Sequence, residues 1–134
     1  MNYWLLKTEP ETYSWDNLVQ DRKTVWDGVK NFQARKNLKA MKKGDFVFIY
    51  HTGAEKSIIG IAKVVKEAYP DPKEKDWVVI EISPNKKLKN SVSLAEVKAD
   101  KKLSDMALAK YARLSVQPVK EKEVQQVLEL SGTK

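Results

Sequence analysis

Three runs of almost uninterrupted apolar residues, Phe46–His51, 58–65 and 77–82, do most to limit what this chain can fold into. Each has the length of a strand rather than of a helix. Each is also apolar at both odd and even positions, so both sides of its pleat must be covered. That is the demand of a closed or partly closed barrel, not of a sheet with one wet face. Gly60 interrupts the second run, which predicts a bulge or a sharp bend there.

The flanking segments supply the cover. Residues 3–7 (Tyr-Trp-Leu-Leu-Lys) form a short buried strand that ends at the Glu9-Pro10 step. Ser14 is placed to cap a short helix over 15–20, with Leu18 and Val19 turned inward. From Asn31 to Met41 the apolar residues Ala34, Leu38 and Met41 recur at i, i+4 and i+7, one face of a helix, with Gly44 as its stop. Residues 69–72 and the step at Pro84-Asn85 read as loops. Ser93 caps a helix carrying Leu94 and Val97, and Leu103, Met106 and Ala107 suggest another. Residues 113–116 form a last strand stopped by Pro118, and Val124, Val127 and Leu128 make the stripe of a closing helix. The order is strand, short helices, three strands, helices, strand, helix, which is an α+β chain. Gly and Pro are scattered over the 134 residues, so residues 1–134 make one domain without a linker.

Much chemistry is excluded at once. There is no cysteine, hence no disulfide, thiolate metal site or Cys nucleophile. The single histidine, His51, stands at a strand end with no partner for a catalytic pair, and a structural role donating to a backbone carbonyl is the commoner one. The five glycines are isolated, so no phosphate loop is present, and no carboxylate cluster has metal-ligand spacing. No cofactor, metal or membrane is expected. A short apolar start without a basic lead and the absence of a coiled-coil repeat fit a cytoplasmic monomer.

The formal net charge is +7, and its placement is the useful part. Between Gly28 and Gly44 there is no acid, yet Lys30, Arg35, Lys36, Lys39, Lys42 and Lys43 all fall there. On the helical wheel Arg35, Lys36, Lys39, Lys42 and Lys43 gather opposite the apolar stripe, with Phe32 among them. Lys86, Lys87 and Lys89 form a second cluster. Such an asymmetric field attracts polyanions, nucleic acid first among them. A lysine-rich solvated surface accounts for the charge alone equally well.

The stretch Trp26-Asp27-Gly28-Val29-Lys30-Asn31-Phe32-Gln33-Ala34-Arg35 is the most informative. It offers an aromatic face, an acceptor, two amides, a glycine and fixed cations, the groups that grip a planar heteroaromatic ring. On residue types alone, a core tryptophan ahead of a turn and helix start is the more common explanation. The stretch resembles the signature of the EVE family. So do Tyr3 through Pro10, Met41–Asp45 with Tyr50-His51-Thr52, Gly60-Ile61-Ala62 with Glu67 through Asp71, and Arg113 through Val119, all in the family's order and spanning essentially the whole chain. Departures are Thr8 and Thr52 where the family has Ser, Lys120 where a helix-capping Thr is common, and Val124 where a large aromatic is frequent.

The resemblance implies a PUA-like fold, a small curved β-barrel of five or six strands with helices around it, similar to YTH and ASCH domains. It implies a reader of modified bases, modified cytosine in DNA or RNA, rather than an enzyme. The expected base pocket comprises Trp26, Asp27, Gly28, Val29, Asn31, Gln33, Lys7, Thr8, Tyr50, His51 and Thr52, with Lys30, Arg35, Lys36, Lys39, Lys42 and Lys43 on the nucleic-acid backbone. With Trp26 as a free-standing cage wall, its removal should leave thermal stability nearly intact. Two other functions fit the same residues: an ASCH-like hydrolase of modified nucleosides that depends on Lys7 or His51, and a module for a protein or small ligand.

Overall fold

The computed structural model describes residues 1–133. Twelve elements follow one another: β1 (Tyr3–Thr8), α1 (Trp15–Asp21), β2 (Thr24–Trp26), α2 (Phe32–Ala40), β3 (Phe46–His51), β4 (Ser57–Pro70), β5 (Val78–Ser93), α3 (Leu94–Ala99), a 3-10 turn (Lys101–Leu103), α4 (Ala107–Lys110), β6 (Val116–Val119) and α5 (Glu121–Ser131). The six strands form one sheet in the order β2-β5-β4-β3-β1-β6. Only β1 and β3 run parallel; the other neighbours are antiparallel. The sheet curls but stays open, with β2 and β6 as its edges. The fold class is α+β, as the element order required.

The uninterrupted apolar runs are explained by two core layers, one on each face of the sheet. Along β1 and β3, Trp4, Leu6, Val47 and Ile49 enter the first layer, and Leu5, Phe48 and Tyr50 the second. The first layer is closed by Trp15 and Leu18 of α1 and by Ala34 and Leu38 of α2, with Met41 just beyond it. The second is closed by Val97 of α3, Leu108 of α4 and Val124 and Val127 of α5.

Local chemistry starts the helices where expected. Ser14 caps α1 in a reciprocal box with Asn17, and Ser93 caps α3 in one with Glu96. Asn31 is the cap of α2, accepting from the Ala34 N–H at 2.9 Å. Lys120 has no acceptor to offer α5, and instead Glu123 accepts from the Lys120 N–H at 2.9 Å. Val19, expected inside, is 49% exposed, because α1 buries only Trp15 and Leu18. Gly44 does not end α2, which stops at Ala40 with extended Met41; at φ 96° it turns the chain into β3 and donates to the Val64 carbonyl at 2.9 Å.

The strands reach further than their apolar runs. Residues 69–70 belong to β4 and Pro84-Asn85 lie within β5. Pro84 sits opposite Ala62, beside a register shift between Ile61 and Ala62, so the ladder is already irregular where a donor is missing. Pro118 likewise lies inside β6, which begins at Val116 and, as an edge strand, tolerates it. Gly60 has two reasons to be glycine. A register shift separates it from Ile58, and a Cβ there would lie 2.7–2.8 Å from three atoms of the Trp15 ring.

One carboxylate fastens the N-terminus to this frame. Asp45, buried ahead of β3, accepts from the Lys42 N–H at 2.9 Å, Trp4 Nε1 at 3.0 Å and the Asn2 N–H at 3.1 Å. Burial alone would raise its pKa. The three donors outweigh that and hold it below the usual carboxylate range.

Candidate nucleic-acid interface

The site is organised by β2, a three-residue edge strand that the apolar pattern does not announce. It pairs with β5, setting Trp26 against Ile80 and Thr24 against Ile82. Beyond Trp26 the chain leaves the sheet through Asp27 and Gly28, and Gly28, at φ 77°, adopts a turn that a side chain would strain. Between this segment and the end of β1 lies a cleft of about 690 Å³, lined by Thr8, Glu9, Thr12, Tyr13, Thr24, Trp26, Asp27, Val29, Lys30 and their neighbours. That volume falls within the ~300–1,000 Å³ typical of small-molecule sites.

Two aromatic rings make its corner. Tyr13 and Trp26 stand edge to face, centroids 6.1 Å apart at 84°. Trp26 is only 8% exposed and belongs to the first core layer, so it is both core residue and cleft wall. That burial argues against the expectation that its loss would leave stability intact. Tyr13 is fixed at three points: its N–H donates to the Glu9 carbonyl (2.8 Å), its carbonyl accepts from Thr8 Oγ1 (2.6 Å), and its hydroxyl donates to Asp21 (2.8 Å). Burial, together with the Asp21 carboxylate, pushes the Tyr13 phenol above its ordinary pKa, so it stays a neutral donor. Asp27 is exposed at the rim, and its carboxylate accepts no hydrogen bond from the described residues.

Of the expected pocket residues, Lys7, Thr8, Trp26, Asp27, Gly28 and Val29 line this cleft. Lys7 does so only along its backbone side. Strand alternation turns its side chain to the opposite face, where Nζ donates to the Ala112 carbonyl at 2.7 Å and lies 5.8 Å from the Tyr50 ring centre. Burial there lowers its pKa. Tyr50 is in the second core layer, away from the cleft. Asn31 and Gln33 face a neighbouring shallow depression with Tyr111 and Arg113, and their amides are engaged with Ala34 N–H and Asn37 Oδ1. Thr52 only ties strand ends, its N–H donating to the Thr8 carbonyl at 2.9 Å.

His51 lines a separate depression with Trp15 and Asp16. Its Nε2 accepts from the Trp15 N–H at 3.0 Å, which requires the proton on Nδ1, where the partner is Glu55 at 2.8 Å. The role is structural, though as an acceptor from backbone N–H rather than a donor to a carbonyl. It holds the turn that carries Tyr13. Sequence reasoning missed Glu9, Thr12, Tyr13, Thr24, Val25 and Ser115 in the lining. They come from three separate segments with no common pattern.

The basic set divides in two. Lys36, Lys39, Lys42 and Lys43 are exposed, and no ion pair holds them among the described residues. Lys30 and Arg35 are already committed. Lys30 pairs with Glu74, and Arg35 donates to the Asp76 carbonyl at 2.6 Å, both beside the Trp77 ring.

A family model described as the EVE domain matches residues 2–130. The chain belongs to the EVE domain family. Mouse thymocyte nuclear protein 1 is 35% identical to this EVE domain over 98% of the chain and 74% of its own length. An NMR structure of a Rhodopseudomonas palustris protein superposes with a TM-score of 0.94 at 45% identity, covering 98% of this chain and 94% of the other. The crystal structure of human THYN1 in complex with DNA containing 5-methylcytosine superposes with a TM-score of 0.91 at 31% identity, covering 100% and 99%. This EVE domain therefore shares the curled-sheet architecture of these proteins over its whole described length.

Proposed function

We propose that this EVE domain reads a modified cytosine in nucleic acid, holding the extruded base in the cleft beside Trp26. The observation that carries the reading is the pairing, in one cleft, of a fixed aromatic corner with an unpartnered carboxylate. Cytosine presents an exocyclic amine, and Asp27 is the acceptor placed to receive it. The ring packs against Trp26 and Tyr13, and a 5-substituent meets apolar surface such as Val29. Stacking contributes ~1–3 kcal/mol and offsets the few kcal/mol of unstacking, which is smallest for single strands. Apolar contact with one methyl adds only ~1–3 kcal/mol, so the preference for a modified base is modest unless hydrogen bonds reinforce it. Lys36, Lys39, Lys42 and Lys43 supply salt-sensitive contacts to phosphates.

The likeness to human THYN1, solved with 5-methylcytosine-containing DNA, supports this choice of ligand. The directions of Lys7 and His51 favour binding over hydrolysis, since neither side chain faces the cleft and the two do not share a site.

The test is fluorescence anisotropy with short DNA and RNA strands carrying one 5-methylcytosine or one cytosine at the same position, at two salt concentrations. The methylated strand should bind more tightly, and Asp27→Ala, at an exposed position, should weaken both cytosine-bearing strands without changing the thermal midpoint. Equal affinity for methylated and unmodified strands, with Asp27→Ala silent on both, would refute the reading.

A further inference from the structure

The cleft does not use the most exposed aromatic surface on the molecule. Phe32, the first residue of α2, is 71% exposed, an arrangement the core does not explain. It is nonetheless in contact with its neighbours. Trp77 lies nearly parallel to it, centroids 5.4 Å apart at 26°. The Arg35 guanidinium sits 4.9 Å from the Phe32 ring centre and 5.3 Å from that of Trp77, and its bond to the Asp76 carbonyl anchors it to the same loop. Lys30 Nζ lies 5.6 Å from the Trp77 ring centre while pairing with Glu74. Two aromatic rings and two cations thus form one preassembled platform whose outer ring remains open to solvent.

Position gives the platform a direction. Lys30 lines the cleft and also touches Trp77, so cleft and platform are joined through one side chain. Along α2, Phe32, Lys36 and Lys39 recur at i, i+4 and i+7, the spacing of a single helix face, and all three are exposed. Aromatic rings and unpaired cations in one line match the alternation of bases and phosphates in a strand. An apolar protein ligand would gain nothing from the two lysines in that line.

Taking the cleft as the pocket for the modified base, we propose that the Phe32–Trp77 platform is a second subsite, which stacks the nucleobase next to the extruded one. The connecting phosphates then run along Lys36 and Lys39. The subsite takes any base, because every base has a π-face, so it adds affinity for a strand without adding sequence preference.

The experiment compares two probes on the full chain: free 5-methyldeoxycytidine, and a five-nucleotide DNA strand with one central 5-methylcytosine. Phe32→Ala should weaken the pentanucleotide by about 5- to 160-fold, the range for loss of one aromatic–base stack. It should leave the free nucleoside and the thermal midpoint unchanged, and Phe32→Tyr should restore strand binding. A pentanucleotide made abasic at the position beside the 5-methylcytosine, on the side that seats on the platform, should lose the same affinity from the wild type and nothing further from Phe32→Ala. Undiminished strand binding by Phe32→Ala overturns the proposal, as does a parallel loss for nucleoside and strand. If the wild type ignores the free nucleoside while Phe32→Ala still weakens the strand, the platform stands and the cleft assignment fails.

Discussion

Replacing Trp26 by alanine tests whether this residue serves fold and ligand together. The side chain is 8% exposed and packs with Trp15, Leu38, Ile80 and the other residues of the first core layer. A tryptophan buries roughly 150–250 Å², so at ~25 cal/mol per Å² its apolar burial is worth about 4–6 kcal/mol. Truncations of this kind cost ~3–5 kcal/mol once the cavity left behind is included. Here one side of the ring already faces the cleft, so truncation widens an existing space instead of opening a sealed void. The lower part of that range, about 3–4 kcal/mol, is expected. With an unfolding entropy of ~2.1 cal/mol/K per residue, the 134-residue chain should melt about 10–15 °C lower. Differential scanning calorimetry gives the shift, and urea unfolding gives the free energy independently. Binding of a 5-methylcytosine strand, measured well below the lowered midpoint, should be abolished. A midpoint within 2–3 °C of the wild type, about 1 kcal/mol or less, would show that Trp26 contributes little to the core. The edge-to-face corner with Tyr13 would then be a surface arrangement only.

Two further outcomes follow from the frame. Asp45 has its pKa held down in the folded state, so it stabilises the protein above the unfolded value of ~3.9, and that contribution disappears as pH falls through the folded value. Asp45→Asn should cost ~1.5–3 kcal/mol at pH 7, since hydrogen bonds to a charged acceptor are lost, and should flatten the acid limb of a stability–pH profile; an unchanged limb would count against it. Gly60→Ala places a methyl within 2.7–2.8 Å of the Trp15 ring. It should cost ~1–3 kcal/mol by overpacking, with a cost smaller in a Trp15→Phe background; strict additivity in urea unfolding would argue against that contact.

Legibility differed between parts of the site. The helix α2 could be read because burial repeats every three to four residues, and its N-cap and cations follow from local chemistry. The turn from Trp26 to Val29 was legible as a unit, and all four of its residues do line the cleft. The opposite wall was not. Tyr13 sits in a polar stretch with no periodicity, and its orientation depends on bonds from Thr8 and to Asp21, plus the His51 contact to the Trp15 N–H two residues on. Lys7 and Tyr50 looked like neighbours of the cleft because their strands are adjacent, but β1 and β3 pair in a register that turns both side chains to the other face.

The chain's own pattern determined the two-sided burial of the central strands, the amphipathic basic helix and the α+β order, since each depends on spacing along a single segment. The tertiary structure alone decided that residues 24–26 form an edge strand, that Pro84 and Pro118 are admitted into strands, and which segments face each other across the cleft. Those features depend on pairing between distant segments, and a local sequence window carries no record of the partner against which its free energy is set.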